Sequence, residues 1–290
     1  MLGEMKKKYY CYLWILPFFI LFFIFQLYPM IYGFFLSLTR WNGFDPTPTI
    51  IGFENYLTLA KDRIFWETLW NTVLIWLMIV PLRAFLSLLI ASIINSPEIK
   101  GKGIYSFFLL LPNITAVVVV AVIFRILLAT NGGTINNLLG IIGIAPVKWL
   151  ESSEFSKISI AIMQTWKATG YFTIIMLAGL QKIPKEIYEA ADIDGASKTK
   201  RFFRITAPLV KDVTFFVVLM STIFVFQNVG ATMILTNGGP GHSSTNLILY
   251  IYNNAFQYSK IGYASSMSYI LFMILLFISY FSVKFNREKM

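Results

Sequence analysis

Three observations predict an all-α integral membrane protein: the apolar mass of this 290-residue chain, the length of its apolar runs and the distribution of its cations. Hydrophobic residues make up 57% of the sequence and charged residues only 13%, against roughly 45–50% and 25% in soluble domains. Such a chain cannot hide its apolar surface from water, which excludes a soluble enzyme, a disordered chain and a disulfide scaffold. Cys11 is the lone cysteine, so there is no intramolecular disulfide and no cysteine-based metal site. Eighteen glycines and eleven prolines, many inside apolar runs, suit membrane helices better than soluble ones.

A hydrocarbon layer about 30 Å thick needs roughly 20 apolar residues of helix. Six stretches meet that demand, at residues 13–38, 69–94, 104–128, 158–180, 213–235 and 264–285. They predict six transmembrane helices in a single domain over residues 1–290. The first run is longer than the core of a signal peptide, and no small-x-small cleavage site follows before Trp41. It is expected to stay as an anchor.

Six spans put both termini on one side. With the N-terminus inside, fifteen cations fall in inner segments: Lys6 to Lys8, Lys100, Lys102, seven between Lys182 and Lys211, and Lys284, Arg287 and Lys289. Six fall in the outer loops (Arg40, Lys61, Arg63, Lys148, Lys157 and Lys260), and Arg83, Arg125 and Lys167 lie within spans. The positive-inside rule then predicts both termini in the cytoplasm. The net charge of +10 is accounted for by topology, and nucleic acid is not an implied partner. The outer loops far exceed the roughly 12–15 residues of ordinary connectors and are expected to carry function. Those at 41–68 and 237–263 have room for a short interfacial helix each.

The sequence lacks a G-x-x-x-x-G-K-[ST] phosphate loop, an H-E-x-x-H pair and a G-x-S-x-G elbow. His242 is the one histidine and is expected to be solvated, so no multi-histidine metal site exists. All fourteen acids lie in loops or at span ends, which argues against the buried carboxylate relay of a coupled carrier. No catalytic residue, metal ligand or cofactor is expected on this chain. Energy for uphill transport has to come from another one. A stand-alone secondary carrier or channel is the alternative, resting on six spans and polar residues near mid-membrane.

The inner segment 181–210 is the most informative. Pro184 suits the first turn of a short helix over residues 185–192, and Asp194-Gly195 is a turn signal. Ser197 or Thr199 can cap a second helical segment that runs to Pro208. Ala190 and Ala191 give the first helix a side that a partner can approach closely. Glu189 offers a carboxylate for a partner's cation.

Glu189-Ala190-Ala191, Gly195 after three residues, then Ile205 and Pro208, placed before the penultimate span, resembles the EAA loop of ABC importer permeases. Where the family usually has Leu before the proline, this chain has Ala207. The likeness extends along the chain. Phe53-Glu54-Asn55-Tyr56, Phe65-Trp66 and Asn71-Thr72 resemble the first outer loop of carbohydrate-importer permeases. Residues 235–240 (Leu-Thr-Asn-Gly-Gly-Pro), with Ser244-Thr245, Tyr250, Tyr252, Ala255-Phe256 and Gly262-Tyr263-Ala264, resemble the first permease of the maltose and glycerol-phosphate branch. The resemblance implies a type I permease fold in a prokaryotic plasma membrane. It also implies a second homologous permease, two copies of an ABC ATPase holding ATP and Mg, and an external sugar-binding protein. Glu189, Ala190, Ala191, Asp194, Gly195, Ile205 and Pro208 would then form the loop that docks on the ATPase.

Polar residues inside a span are expensive unless they face protein or water. Ser221, Val225 and Asn228 at i, i+4 and i+7 share one face of span five, flanked by Phe224 and Gln227. By resemblance they match positions lining the sugar site of maltose importers, with Val225 in place of an amide. In span four Gln164, Trp166, Lys167, Thr169 and Tyr171 interrupt an apolar helix, and a break there would suit a cavity wall. The alternative for all of them is hydrogen bonding between helices, worth about 0.6–2 kcal/mol each. Arg83 is expected to snorkel to phosphates below the membrane, the alternatives being an interior cavity or a partner interface. Arg125 is expected to be a snorkelling anchor.

Overall fold

The structure, a computed structural model, describes residues 2–287; Lys289, one of the inner cations, lies outside them. The chain divides into two compact units.

One unit comprises the residues up to Asp62 together with Ile251–Ile274. Its first apolar run is helical, as α1 (Leu2–Phe22), a wider π turn at Phe23–Leu27, and α2 (Tyr28–Ser37). None of the central apolar window of this run is buried, and Trp14 is 85% exposed, so this surface faces lipid or another chain. A two-residue hairpin follows, β1 (Thr39–Arg40) antiparallel to β2 (Thr49–Ile50), with Thr39 opposite Ile50. Next comes α3 (Glu54–Lys61). The buried Asn55 amide donates to the Ser37 and Thr39 carbonyl oxygens, at 2.8 Å each, satisfying the end of α2.

The other unit comprises Arg63–Tyr250 and the residues from Leu275 on. It contains α4 (Arg63–Asn95), α5 (Lys102–Ile114), α6 (Val117–Leu127), α7 (Thr134–Ile141) and α8 (Phe155–Leu180). The inner segment follows as α9 (Lys185–Ile193), α10 (Lys198–Arg201), a π turn at Phe202–Thr206, and α11 (Ala207–Leu209). Then come α12 (Lys211–Gln227) and α13 (Gly230–Leu235). α14 (Leu247–Tyr252), a π turn at Asn253–Gln257, and α15 (Ile261–Arg287) complete the chain.

Among the described residues, three helices are long and apolar enough to cross a bilayer singly, Tyr12–Ser37, Arg63–Asn95 and Ile261–Lys284. Two bent pairs raise the number to as many as five: α5 with α6 at 89°, and Lys198–Leu209 with α12 at 74°. The expected third and fifth spans are not straight helices. The third breaks at Thr115 and Ala116, and the fifth leaves the helix at Asn228, all three residues having extended backbone.

The break expected in span four is absent, because α8 runs unbroken for 26 residues. Thr169 and Thr173 donate to the carbonyls four residues earlier, at 2.6 and 2.8 Å, so their hydroxyls are satisfied inside the helix.

α4, α8 and α12 carry two apolar clusters separated by a polar layer. Ile75, Ile79, Ile160, Met163 and Val225 belong to one cluster; Leu88, Phe172, Met176 and Val217 belong to the other. Arg83, Gln164 and Ser221 fall between them along all three helices. α5 packs on α8 at Gly170, where a Cβ would fall 1.8 Å from the Leu109 carbonyl oxygen. Only glycine permits that approach.

Candidate functional site

The polar layer opens into a cavity of about 260 Å³, close to the lower end of the ~300–1,000 Å³ usual for small-molecule sites. Arg83 from α4, Gln164 and Lys167 from α8, and Phe224 and Gln227 from α12 line it. Asn113 at the end of α5 and Asn228 in the break after α12 complete its polar wall. The breaks after α5 and after α12 thus lie at the cavity. Irregular backbone at membrane depth is tolerated where it lines such a space.

The breaks are stabilised by named side chains. Where α5 ends, its last carbonyls lose their helical partners. The Lys167 ammonium donates to the carbonyl oxygens of Pro112, Asn113 and Thr115 at 3.2, 2.9 and 2.9 Å, a cation at the negative end of a helix. After α12, the Asn228 side-chain oxygen accepts from the Ala231 N–H at 3.2 Å, and Asn246 donates to the Asn228 carbonyl at 2.9 Å.

Arg83 is only 2% exposed, which corrects the expectation that it snorkels. Its Nη1 donates to Ser221 Oγ at 2.8 Å and its Nη2 to the Gln164 carbonyl at 2.7 Å. The guanidinium carbon sits 5.5 Å from the centre of the Phe172 ring. Packing by α8 and α12 keeps it inside, because it has acceptors there.

The residues singled out in spans four and five are distributed unequally. Gln164, Gln227 and Asn228 line the cavity. Ser221 is fully buried behind it as the acceptor for Arg83. Val225 belongs to an apolar cluster. Trp166 is 51% exposed and packs against Phe124 at 5.5 Å, and Tyr171 packs against Phe172. Asn228 does not share a helical face with Ser221 and Val225, because the helix has ended before it. Asn113 was missed by the sequence reading, although Pro112-Asn113 inside an apolar run is a legible signal of a helix end.

The inner segment is a separate exposed feature of the same unit. α9 starts after Pro184, which precedes the helix as its cap rather than entering its first turn. Gly195 ends it at φ +66°, with Ala196 N–H bonded to the Ala191 carbonyl at 2.9 Å, a left-handed cap that glycine accommodates. Of the two capping candidates Ser197 caps α10, accepting from the Lys200 N–H at 3.3 Å. Arg201 pairs with Asp192 and stacks over the Tyr188 ring. Glu189, Ala190, Asp194 and Pro208 are exposed, Ala191 is buried and Ile205 is half-buried. Ile193 is 87% exposed, a large apolar side chain with no cover on this chain.

At the loop 237–263, Asn71 of α4 donates to the His242 and Thr245 carbonyls at 2.9 and 3.1 Å, and Lys157 of α8 donates to the Ser243 carbonyl at 2.8 Å. The His242 side chain is exposed, as its solitary occurrence suggested.

The sequence pattern of the family described as binding-protein-dependent transport system inner membrane component matches residues 9–288. The chain belongs to that family. It is 34% identical to the lactose transport system permease of Rhizobium radiobacter, covering 98% of this chain and 97% of that one. It is also 34% identical to the sulfoquinovosyl glycerol transport system permease of Agrobacterium fabrum, over 90% and 83% of the two chains. Among solved structures, a chain of a bacterial alginate ABC transporter in complex with alginate pentasaccharide-bound periplasmic protein shares the fold at a TM-score of 0.84. Identity there is 24%, over 99% of this chain and 97% of that one. The chain is thus a multi-pass permease subunit of a binding-protein-dependent ABC importer, and not itself an enzyme. A stand-alone carrier is not favoured.

Proposed function

We propose that this permease carries a carbohydrate, delivered by an external binding protein, through the cavity at its polar layer. The observation that carries the reading is the amide wall of Gln164, Gln227, Asn228 and Asn113 where two helices break. A primary amide donates and accepts at once, as a sugar hydroxyl does, so such a wall can exchange water for sugar without stranding polar groups. Relatives named for lactose and sulfoquinovosyl glycerol transport support the carbohydrate class.

In this reading the chain is one permease domain with six spans and both termini in the cytoplasm of a prokaryote, at the plasma membrane. It pairs with a second homologous permease and two copies of an ATPase that hold ATP and Mg; this chain binds no cofactor. The segment from Glu189 to Pro208, with Ala190, Ala191, Asp194, Gly195 and Ile205, docks on the ATPase. Burying the exposed Ile193 there removes an apolar side chain from water, and Glu189 meets a cation. Closure of the ATPase pair then moves this segment, and the spans alternate access to the cavity.

Co-purification with the ATPase encoded beside it tests the docking half, and uptake by the assembled transporter tests the cavity half. Glu189→Lys is expected to lower ATPase recovery about tenfold or more, while Asn228→Ala lowers uptake and leaves recovery intact. A wild-type chain that recovers no ATPase overturns the reading.

A further inference from the structure

The cavity carries two cations and no counter-charge. Arg83 and Lys167 both line it, and none of its lining residues is acidic. Among the described residues, ion pairs join Arg40 to Glu54, Lys198 to Glu98 and Arg201 to Asp192, and none involves Arg83 or Lys167. A charge removed from water normally finds an opposite charge or a full set of hydrogen bonds. Lys167, half-buried, spends its three donors on carbonyls at the end of α5, and no carboxylate pairs with it. Arg83 has two acceptors for five N–H donors, and its Nε is buried without a partner. Gln164 Nε2, on the same wall, is a second buried donor without a partner.

Around the two cations the remaining hydrogen-bonding capacity is also weighted toward donors. The Asn228 side-chain oxygen is occupied by Ala231 N–H, which leaves its amide hydrogens for the cavity. Arg83 and Lys167 have no accepting atom at all. A neutral sugar hydroxyl brings a donor with every acceptor, and neither cation can accept that donor. An oxyanion brings acceptors only, and a planar guanidinium matches a carboxylate with two parallel bonds.

From this arrangement we infer that the cavity selects an acidic saccharide, one bearing a carboxylate, sulfonate or phosphate, with Arg83 as the residue facing the anion and Lys167 adding its field. The inference rests on the carbohydrate reading and narrows its substrate class.

Trisaccharides of galacturonate, mannuronate and glucuronate, each compared with its methyl ester, isolate charge from shape, and maltotriose serves as an uncharged reference. ATP-dependent uptake is measured in proteoliposomes holding the assembled transporter with its binding protein. At least one acid is expected to exceed its ester about tenfold or more. The binding protein is common to all arms, so a change in the acid-to-ester ratio on substituting this chain belongs to the cavity. Arg83→Gln is expected to lower that ratio about tenfold, and Arg83→Lys, which keeps charge but loses the fork, by less. Gln227→Glu, which adds a carboxylate of nearly the same shape, lowers it without touching Arg83.

Preferential uptake of esters or maltotriose overturns the inference and leaves the sugar importer standing. So does an acid-to-ester ratio that Gln227→Glu and the Arg83 variants leave unchanged. Uptake of none of these saccharides, acid or neutral, overturns both readings.

Discussion

The cavity wall and the inner segment are held in place by opposite means. Around the cavity most positioning contacts join residues far apart in sequence, as with Arg83 to Ser221, Lys167 to Pro112 and Thr115, and Asn246 to Asn228. In the segment 181–210 the contacts that set the turn are short-range, with Ala196 bonded to Ala191, Lys200 to Ser197 and Arg201 to Asp192, alongside the exposed Lys198–Glu98 pair. The cavity is therefore a product of the whole unit's packing, and damage to it spreads into stability. The segment 181–210 sets its own turn and leaves Glu189, Ala190 and Ile193 exposed, so substitutions of those side chains are expected to spare the fold.

Gly170→Val breaks the comparison on the cavity side most severely. Its Cβ would collide with the Leu109 backbone, so α5 and α8 must part, at a loss of about 3 kcal/mol or more. Thermal unfolding of the purified permease is expected to show little or no folded protein. Ser221→Ala tests the same wall more gently. It removes the acceptor of Arg83 Nη1 while keeping the space, and a buried charged donor left unpaired costs about 2 kcal/mol. A lowered melting temperature and reduced uptake are expected together. Gly195→Ala gives the smallest change in stability, about 1 kcal/mol, because the added methyl meets nothing and only the left-handed backbone is strained. ATPase recovery is expected to fall by more than that shift in melting explains. If instead Gly195→Ala destabilises the chain as much as Ser221→Ala, the inner segment is not the autonomous element its contacts imply.

The same contrast sets what the sequence could disclose. The inner segment was legible almost residue by residue, since a cap, a proline and a left-handed glycine each act on their immediate neighbours. In span five, Gln227 and Asn228 were legible as polar residues in an apolar run. Of the helix breaks, only the one after Pro112-Asn113 left a local mark. Hydropathy adds up side chains, whereas a break depends on where orphaned backbone carbonyls find donors, and for Thr115 that donor is Lys167, on another helix. The fate of Arg83 was hidden for the same reason. An arginine in an apolar helix reaches for phosphates or stays inside according to what surrounds it, and Ser221 and the Gln164 carbonyl are what surround it.

The contact at Gly170 has a mechanical consequence. Side chains that meet can trade rotamers and absorb a shift, but backbone pressed on backbone has no such slack. α5 and α8 are joined there at Gly170 and again by Lys167, one turn earlier on α8. They move as one plank, carrying the break at Thr115 with them. The cavity thus has one stiff wall, fixed where backbone meets backbone and where Lys167 ties the end of α5 to α8.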